Sequence, residues 1–376
     1  MTLRVSSAFD GGNAEIVEIE DSGAIRLRIR KDVGDRFFQW FCFRVSGARG
    51  VPLTITLENA NEASYEQGFV DYNAVVSSDL ERWTRVPSEL TSEGLVIRHT
   101  GNADVLTFGY FAPFSMAQHH ALLSRCASDR RVTLETLGHT LDGQPLDLVR
   151  VGTGPRPFWA IARQHPGETM AEYWMEGFLG RLLDRHDPVS RKLLEDACFY
   201  VVPNMNPDGS RRGHLRTNAS GANLNREWLE PSMDRSPEVF LVRERMQETG
   251  VQLCYDVHGD EGLPYVFLAG SDGIPSLSQA QVEQLAALRA SLTALTPDFQ
   301  TERGYPPARP GQANLSMCTN WVAETFSCLA VTLEMPFKDA ANHPLPETGW
   351  SPERSRHLGR AFVDATRALV PSIAAR

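Results

Sequence analysis

The sequence lacks paired cysteines. Cys42, Cys126, Cys198, Cys254, Cys318 and Cys328 are scattered, and no two form a CxxC pair. They offer no disulfide framework, so reduced and mostly buried thiols are expected. Positive charge is also in deficit: 37 Lys and Arg against 47 Asp and Glu leave a formal net charge of −10. That argues against nucleic acid or an anionic membrane as the main partner, while leaving local basic pockets open. No stretch approaches the roughly 18 apolar residues needed to span a bilayer. "MTLRVSSAFDGGNAEI" contains no continuous apolar run of the secretory kind, so a cytoplasmic protein is expected. Internal repeats and low-complexity segments are missing as well.

What is present is ample core: 376 residues, 42% hydrophobic and 22% charged, enough for two domains or one large one. Up to Phe114 the texture is that of strands. "FFQWFCFRV" and "VPLTITLEN" alternate in character, and Leu53, Ile55 and Leu57 share one face by period two. "DGGNAE", "SGARG" and "EGL" punctuate these runs as turns, and no helix stands out. Residues 1–114 are therefore expected to form a small antiparallel β-sandwich.

From Ser115 strand-like and helical runs alternate. "SMAQHHALLSRC" reads as a helix, and "TLGHTLDGQPLDLVRVG" as a hairpin around Asp142-Gly143. "PFWAIA", "ACFYVVPNMN", "VQLCYDVHG" and "CLAVTLEMP" read as short buried strands. "AEYWMEGFLGRLL" sets Trp174, Phe178 and Leu182 on one helical face. "SQAQVEQLAALRASLTAL" and "PERSRHLGRAFVDATRALV" read as amphipathic helices. Residues 115–376 are expected to form an α/β domain with a mixed central sheet flanked by helices.

Three of the short strands lead to residues of catalytic type. "PFWAIARQ" runs to His165 and Glu168, "VQLCYDV" to His258, and "CLAVTL" to Glu334. In open α/β sheets ligands bind beyond the carboxyl ends of the strands, so residues far apart in sequence can converge there. Two histidines and one carboxylate with a fourth position open make a catalytic type of zinc site. Glu334 would then be a free carboxylate able to take a proton from metal-bound water. Singly, each of these residues is more simply a hydrogen-bonded or solvated side chain; the conjunction carries the reading. "PNMNPDGSRRGHLRTNASGANLNREW" reads as one long loop offering Arg216, Asn225 and Arg226. An arginine fork can hold a carboxylate in a bidentate pair, with an asparagine amide beside it.

"HPGE" at 165–168, "NLNREW" at 223–228, "DVHG" at 256–259 and "TLE" at 332–334 resemble the zinc metallocarboxypeptidases. More narrowly the chain is similar to a bacterial-type member of the cytosolic carboxypeptidase subfamily, which carries a β-sandwich before its catalytic domain. "WFCFRVSGARGVPLTITLEN" resembles that sandwich and "TLGHTLDGQPLDL" the start of the catalytic domain, so the likeness spans nearly the whole chain. The resemblance implies one zinc ion held by His165, Glu168 and His258. It implies Glu334 as general base and Arg216 as the group that polarises the scissile carbonyl. Asn225 and Arg226 would grip the terminal carboxylate of a peptide or protein substrate, and Tyr305 in "RGYPP" would be a phenol that closes over it. Nucleic-acid and membrane partners are not expected.

The chain departs from its relatives in places. His214 stands where asparagine is common, and "HGDEG" replaces "HGHS", adding two carboxylates. Relatives that remove glutamate carry a basic residue upstream of the base. Here that neighbourhood reads "LSMCTNWVAE", with Cys318 and Thr319, leaving Lys338, Arg303 and Arg309 as candidate replacements for an acidic C-terminal preference. Two other readings stand beside the peptidase. One is a zinc amidohydrolase of desuccinylase or aspartoacylase type acting on small N-acyl amino acids. The other is a non-catalytic module that binds peptide C-termini.

Overall fold

The structure is a computed structural model and describes residues 2–34 and 36–374. Ten strands fill the first part of the chain: β1 (Arg4–Ser6), β2 (Glu15–Ile19), β3 (Ala24–Arg28), β4 (Cys42–Ser46), β5 (Leu53–Leu57), β6 (Ala74–Ser77), β7 (Thr84–Val86), β8 (Ser88–Thr91), β9 (Gly94–His99) and β10 (Val105–Gly109). They form two five-stranded sheets, ordered β1-β4-β10-β6-β7 and β2-β3-β5-β9-β8. Every pairing is antiparallel except β3 with β5, which run parallel. Period-two alternation works as expected: Leu53, Ile55 and Leu57 are buried while Thr54 faces out. The run "FFQWFCFRV" is only half a strand. Phe38 and Gln39 spend their hydrogen bonds on the Ser64–Tyr65 segment, so the ladder begins at Cys42.

The second part opens on α1 (Met116–Ala127), where Ser115 and Gln118 close a reciprocal capping box. There follow β11 (Val132–His139), β12 (Pro145–Val151), β13 (Arg156–Ala162), α2 (Met170–Leu182), α3 (Pro188–Asp196), β14 (Ala197–Val202), α4 (Pro207–Arg212), α5 (Pro237–Thr249), β15 (Leu253–Asp260), β16 (Phe267–Ala269), α6 (Gln279–Leu295), α7 (Cys318–Phe326), β17 (Leu329–Pro336) and α8 (Pro352–Leu369). Seven strands make one mixed sheet, ordered β11-β12-β14-β13-β15-β17-β16. Its centre, β14-β13-β15-β17, is parallel and its edges are antiparallel.

Strand β13 explains why both faces are covered. Phe158, Ala160 and Ala162 point into one core with Trp174, Phe178 and Phe362 of α2 and α8. Trp159 and Ile161 point the other way, into a second core with Val239 and Val242 of α5 and Val322 of α7. A strand apolar on both faces belongs at the middle of a doubly covered sheet. Helix α2 is likewise buried on more than its Trp174–Phe178–Leu182 face. It meets α8 at two glycines: a Cβ on Gly177 would lie 2.1 Å from the Arg356 carbonyl oxygen, and one on Gly359 would lie 2.2 Å from that of Trp174. The expected long loop from Pro203 to Trp228 is more ordered than its composition suggests. It holds α4, capped by Asn206 with Pro207 behind it, and a 3-10 turn over Leu224–Arg226.

The two parts share buried contacts. The Arg85 guanidinium donates to the carbonyls of Phe337, Thr348 and Trp350, and the Lys338 ammonium to those of Gln67 and Val70. The rings of Tyr110 and Phe337 stack with centroids 4.6 Å apart.

Candidate active site

The turn after β13 begins with a strained residue. Arg163 has φ +61°, a left-handed conformation that a side chain with a Cβ adopts only when its surroundings hold it there. Its guanidinium, 3% exposed, donates to the carbonyls of Pro166 and Phe114 and to Glu172 of α2. Glu172 in turn meets His119 of α1 and the amide of Asn204. This buried network pins the Pro166-Gly167 turn from beneath. Gly167 is required there, because a Cβ would lie 2.9 Å from the Leu215 carbonyl oxygen.

The pinned turn presents His165 and Glu168 to His258, which lies near the end of β15. Nδ1 of His165 is 2.7 Å from one Glu168 oxygen, and Nδ1 of His258 is 2.8 Å from the other. The two Nδ1 atoms are 3.2 Å apart. Both outer nitrogens face oxygens: Nε2 of His165 meets Asn223 Oδ1 at 3.0 Å, and Nε2 of His258 meets Asp256 at 2.9 Å. With a cation between the rings, the oxygen behind each would hold the proton on Nε2 and leave the Nδ1 lone pair facing inward.

The three groups are held in one another's fields by burial. Burial pushes His165 down to about 4, helped by Arg216. Burial also disfavours the charged form of His258, but Asp256 and Glu168 outweigh it and hold the ring well above an ordinary imidazole. Glu168 stays well below the usual carboxylate range, because the two imidazoles overcome its burial. Two imidazole nitrogens and a carboxylate oxygen, all within 4.8 Å of one another, are a donor set that suits a divalent ion of zinc type.

Glu334 stands beside this set by strand register, opposite His258 on the β15–β17 pair. Burial, with Glu168, Asp260 and Glu261 adding to it, raises its carboxyl well above the ordinary value. Its Oε2 is buried with no hydrogen-bond partner, as a group that serves a water or a ligand would be. Its Oε1 accepts from the Tyr305 hydroxyl at 3.2 Å. The same hydroxyl also lies against Asp260, so its one proton is shared between the two carboxyl groups, and the Tyr305 ring packs edge-on against Phe267.

Arg216 and Arg226 reach the same cleft, whose volume is about 730 Å³. Among the described residues neither has a carboxylate within ion-pair distance. Burial, followed by repulsion from Arg216, holds Arg226 below the usual guanidinium range. Asn225 is fixed by the Cys318 N–H, which donates to its Oδ1 at 2.9 Å. His165, Glu168, His258, Arg216, Asn225, Arg226, Tyr305 and Glu334 therefore all line one cavity.

The candidate basic residues do not. Thr319 lines the cleft but is neutral and bonds Thr332, Cys318 is buried, and Lys338 is turned to the N-terminal part. Arg303 lines an adjoining cavity that shares Tyr305, Met317 and Asn320 with the cleft, and Arg309 lines neither. Sequence reasoning assigned no role to Asn223 and Asp256, although both sit inside quoted motifs. It had no signal for Arg163, Glu172 or Asp32, which act through contacts distant in sequence.

Residues 5–111 match the cytosolic carboxypeptidase N-terminal domain family, and residues 120–357 match the zinc carboxypeptidase family. Cytosolic carboxypeptidase 6 of Caenorhabditis elegans is 24% identical over 365 residues, covering 89% of this chain and 79% of the relative. The metallo-carboxypeptidase of Burkholderia cenocepacia is 43% identical with a TM-score of 0.96, covering 99% of this chain and 100% of the other. That of Pseudomonas aeruginosa, in complex with (2-guanidinoethylmercapto)succinic acid, is 42% identical with a TM-score of 0.95 at 99% and 100% coverage. The chain belongs to the zinc carboxypeptidase family, with the N-terminal domain of the cytosolic carboxypeptidases in front of it.

Proposed function

We propose that the chain removes single C-terminal residues from peptides, using one zinc ion held by His165, Glu168 and His258. When bound, zinc acidifies a water and polarises a carbonyl. The observation that carries the reading is the placement of two arginines without carboxylate partners beside that donor set. Arg226 and Asn225 hold the terminal carboxylate, which sets the last peptide bond over Glu334 and Arg216. Glu334 takes a proton from the attacking water and hands it to the leaving amine, with its buried Oε2 free of other partners among the described residues. Arg216 donates to the carbonyl oxygen as charge develops there. Tyr305 bonds Glu334 Oε1 and is the phenol that closes over the substrate, while Oε2 is left to serve the water.

The cleft lining favours a neutral or basic C-terminal side chain over an acidic one. Both of its guanidinium groups are engaged by the reaction, while Asp260 and Glu261 add carboxyl groups. The Pseudomonas neighbour's ligand, a guanidine joined to a succinate, has the same chemistry. The names of the relatives support a cytoplasmic location.

A C-terminal peptide library read by mass spectrometry, with zinc-loaded and chelated enzyme, tests the reading. Single-residue losses that stop on chelation are expected, richest for Arg, Lys and neutral residues and poorest for Glu and Asp. Turnover of N-acyl amino acids with intact peptides would replace the reading with the amidohydrolase.

A further inference from the structure

Arg216 belongs to the second part of the chain, yet what surrounds it comes largely from the first. Asp32 lies in the segment after β3 and is 2% exposed. Its Oδ1 accepts the Leu215 N–H at 2.7 Å. Its Oδ2 accepts the N–H groups of Arg216 at 2.7 Å and Thr217 at 2.9 Å, with the Thr217 hydroxyl at 3.2 Å. Three consecutive backbone donors, centred on Arg216, thus converge on one carboxylate. No Lys or Arg among the described residues pairs with Asp32; burial raises its proton affinity, which His214 and these backbone donors offset without overcoming.

The same segment supplies a platform. The Asp32 N–H bonds the Phe37 carbonyl at 2.8 Å, and the Phe37 ring lies under the Arg216 guanidinium at 5.7 Å. The Tyr65 ring faces it at 5.5 Å, with the Tyr65 backbone fixed by two hydrogen bonds to the Gln39 amide. Two rings hold the planar cation in place while leaving its N–H edge free to donate. Further along, Asn13 donates to the Gly213 carbonyl at 2.8 Å, and Gly11 to that of Arg211 at 2.9 Å.

We infer that Asp32 is a positioning residue of the active site: through Leu215, Arg216 and Thr217 it fixes the guanidinium between Phe37 and Tyr65, facing the scissile carbonyl. The inference rests on the peptidase reading. It gives the sandwich a defined part in the reaction: the sandwich holds the arginine that meets the developing oxyanion. Asp32, Phe37 and residues 211–217 thus behave as one unit built from two domains.

The test is a double-mutant cycle on full-length, zinc-loaded protein with Asp32→Asn and Arg216→Ala. Zinc content, kcat and KM are measured on the best library peptide, and amide exchange is followed over residues 215–217. Arg216→Ala is expected to lower kcat about 10²–10³-fold, as for loss of one oxyanion donor. Asp32→Asn is expected to lower kcat about 10–100-fold with zinc content unchanged and KM within about threefold, and to speed exchange at 215–217. In the Arg216→Ala background the same change should cost under about threefold. An undiminished loss in that background, or unchanged exchange in Asp32→Asn, overturns the inference. If Asp32→Asn does not fold, Phe37→Leu carries the same cycle with the same criteria. A wild-type protein inactive on every peptide would sink the peptidase reading, while exchange at 215–217 still decides whether Asp32 fixes Arg216.

Discussion

At the scale of single residues, proton affinity and unshared charge set the chemistry. Glu334 is buried, raised in proton affinity and left with one unpaired oxygen. Replacing it by Gln should leave zinc stoichiometry, measured by metal analysis, unchanged. It should lower kcat by on the order of 10³-fold, the range of general acid–base catalysis. Near-wild-type turnover would remove it as the base. Arg226 is expected to act on recognition. Charge-assisted hydrogen bonds contribute about 1.5–3 kcal/mol, so Arg226→Ala should lower kcat/KM about 10–100-fold on peptides with free carboxyl ends. The check is a peptide series in which KM carries most of the change.

At the scale of elements, two buried carboxylates show how packing sets behaviour. Glu172 ties α2 to Arg163 and to His119 of α1 with no exposed surface of its own. Glu172→Ala would strand the Arg163 cation beneath the metal turn. A loss of about 3–5 kcal/mol is expected in denaturant unfolding, with weaker zinc retention in a chelator titration. Glu238, in the first turn of α5, has its pKa raised from 4.5 to about 7, chiefly by burial. Between those pH values the folded state keeps a proton that the unfolded chain has released. Stability therefore falls as pH rises through that window and levels off above it. Gln keeps an oxygen for the Asn218 amide, so Glu238→Gln should flatten this fall and be more stable at pH 8 by up to about 3 kcal/mol. Melting curves from pH 5 to 8 decide it; parallel curves for the two proteins would refute it.

At the scale of the whole molecule, the sandwich and the α/β domain are joined by polar groups that reach across the boundary. The Arg85 guanidinium meets three carbonyls of the second domain, and the Lys338 ammonium two of the first. Such contacts predict a single cooperative calorimetric transition; two separable transitions would contradict the coupling. If zinc binds the folded site and not the unfolded chain, zinc at about a hundred times its Kd should add about 2.7 kcal/mol. The melting temperature should rise by several degrees and return on chelation.

Much of this was legible in the sequence, for reasons that are local. Period two in "LTITL" reports a half-buried strand, and the apolar run "PFWAIA" reports one covered on both faces, because side-chain direction follows the backbone. The order of "HPGE", "NLNR", "DVHG" and "TLE" carries the donor types with their strand or turn settings. What only the tertiary structure decided depends on contacts between distant segments. Phe38 and Gln39 stand outside the ladder with their hydrogen bonds on residues 64–65, and the glycine-rich stretch to Trp228 became ordered because α4 and its neighbours pack it. Asp32 reaches Arg216 across 184 residues, and Tyr305 reaches Glu334 across 29. Local pattern specifies which face of a strand or helix is apolar and which side chains end it. A carboxylate's partner is chosen by three-dimensional closure, and no periodicity records that choice.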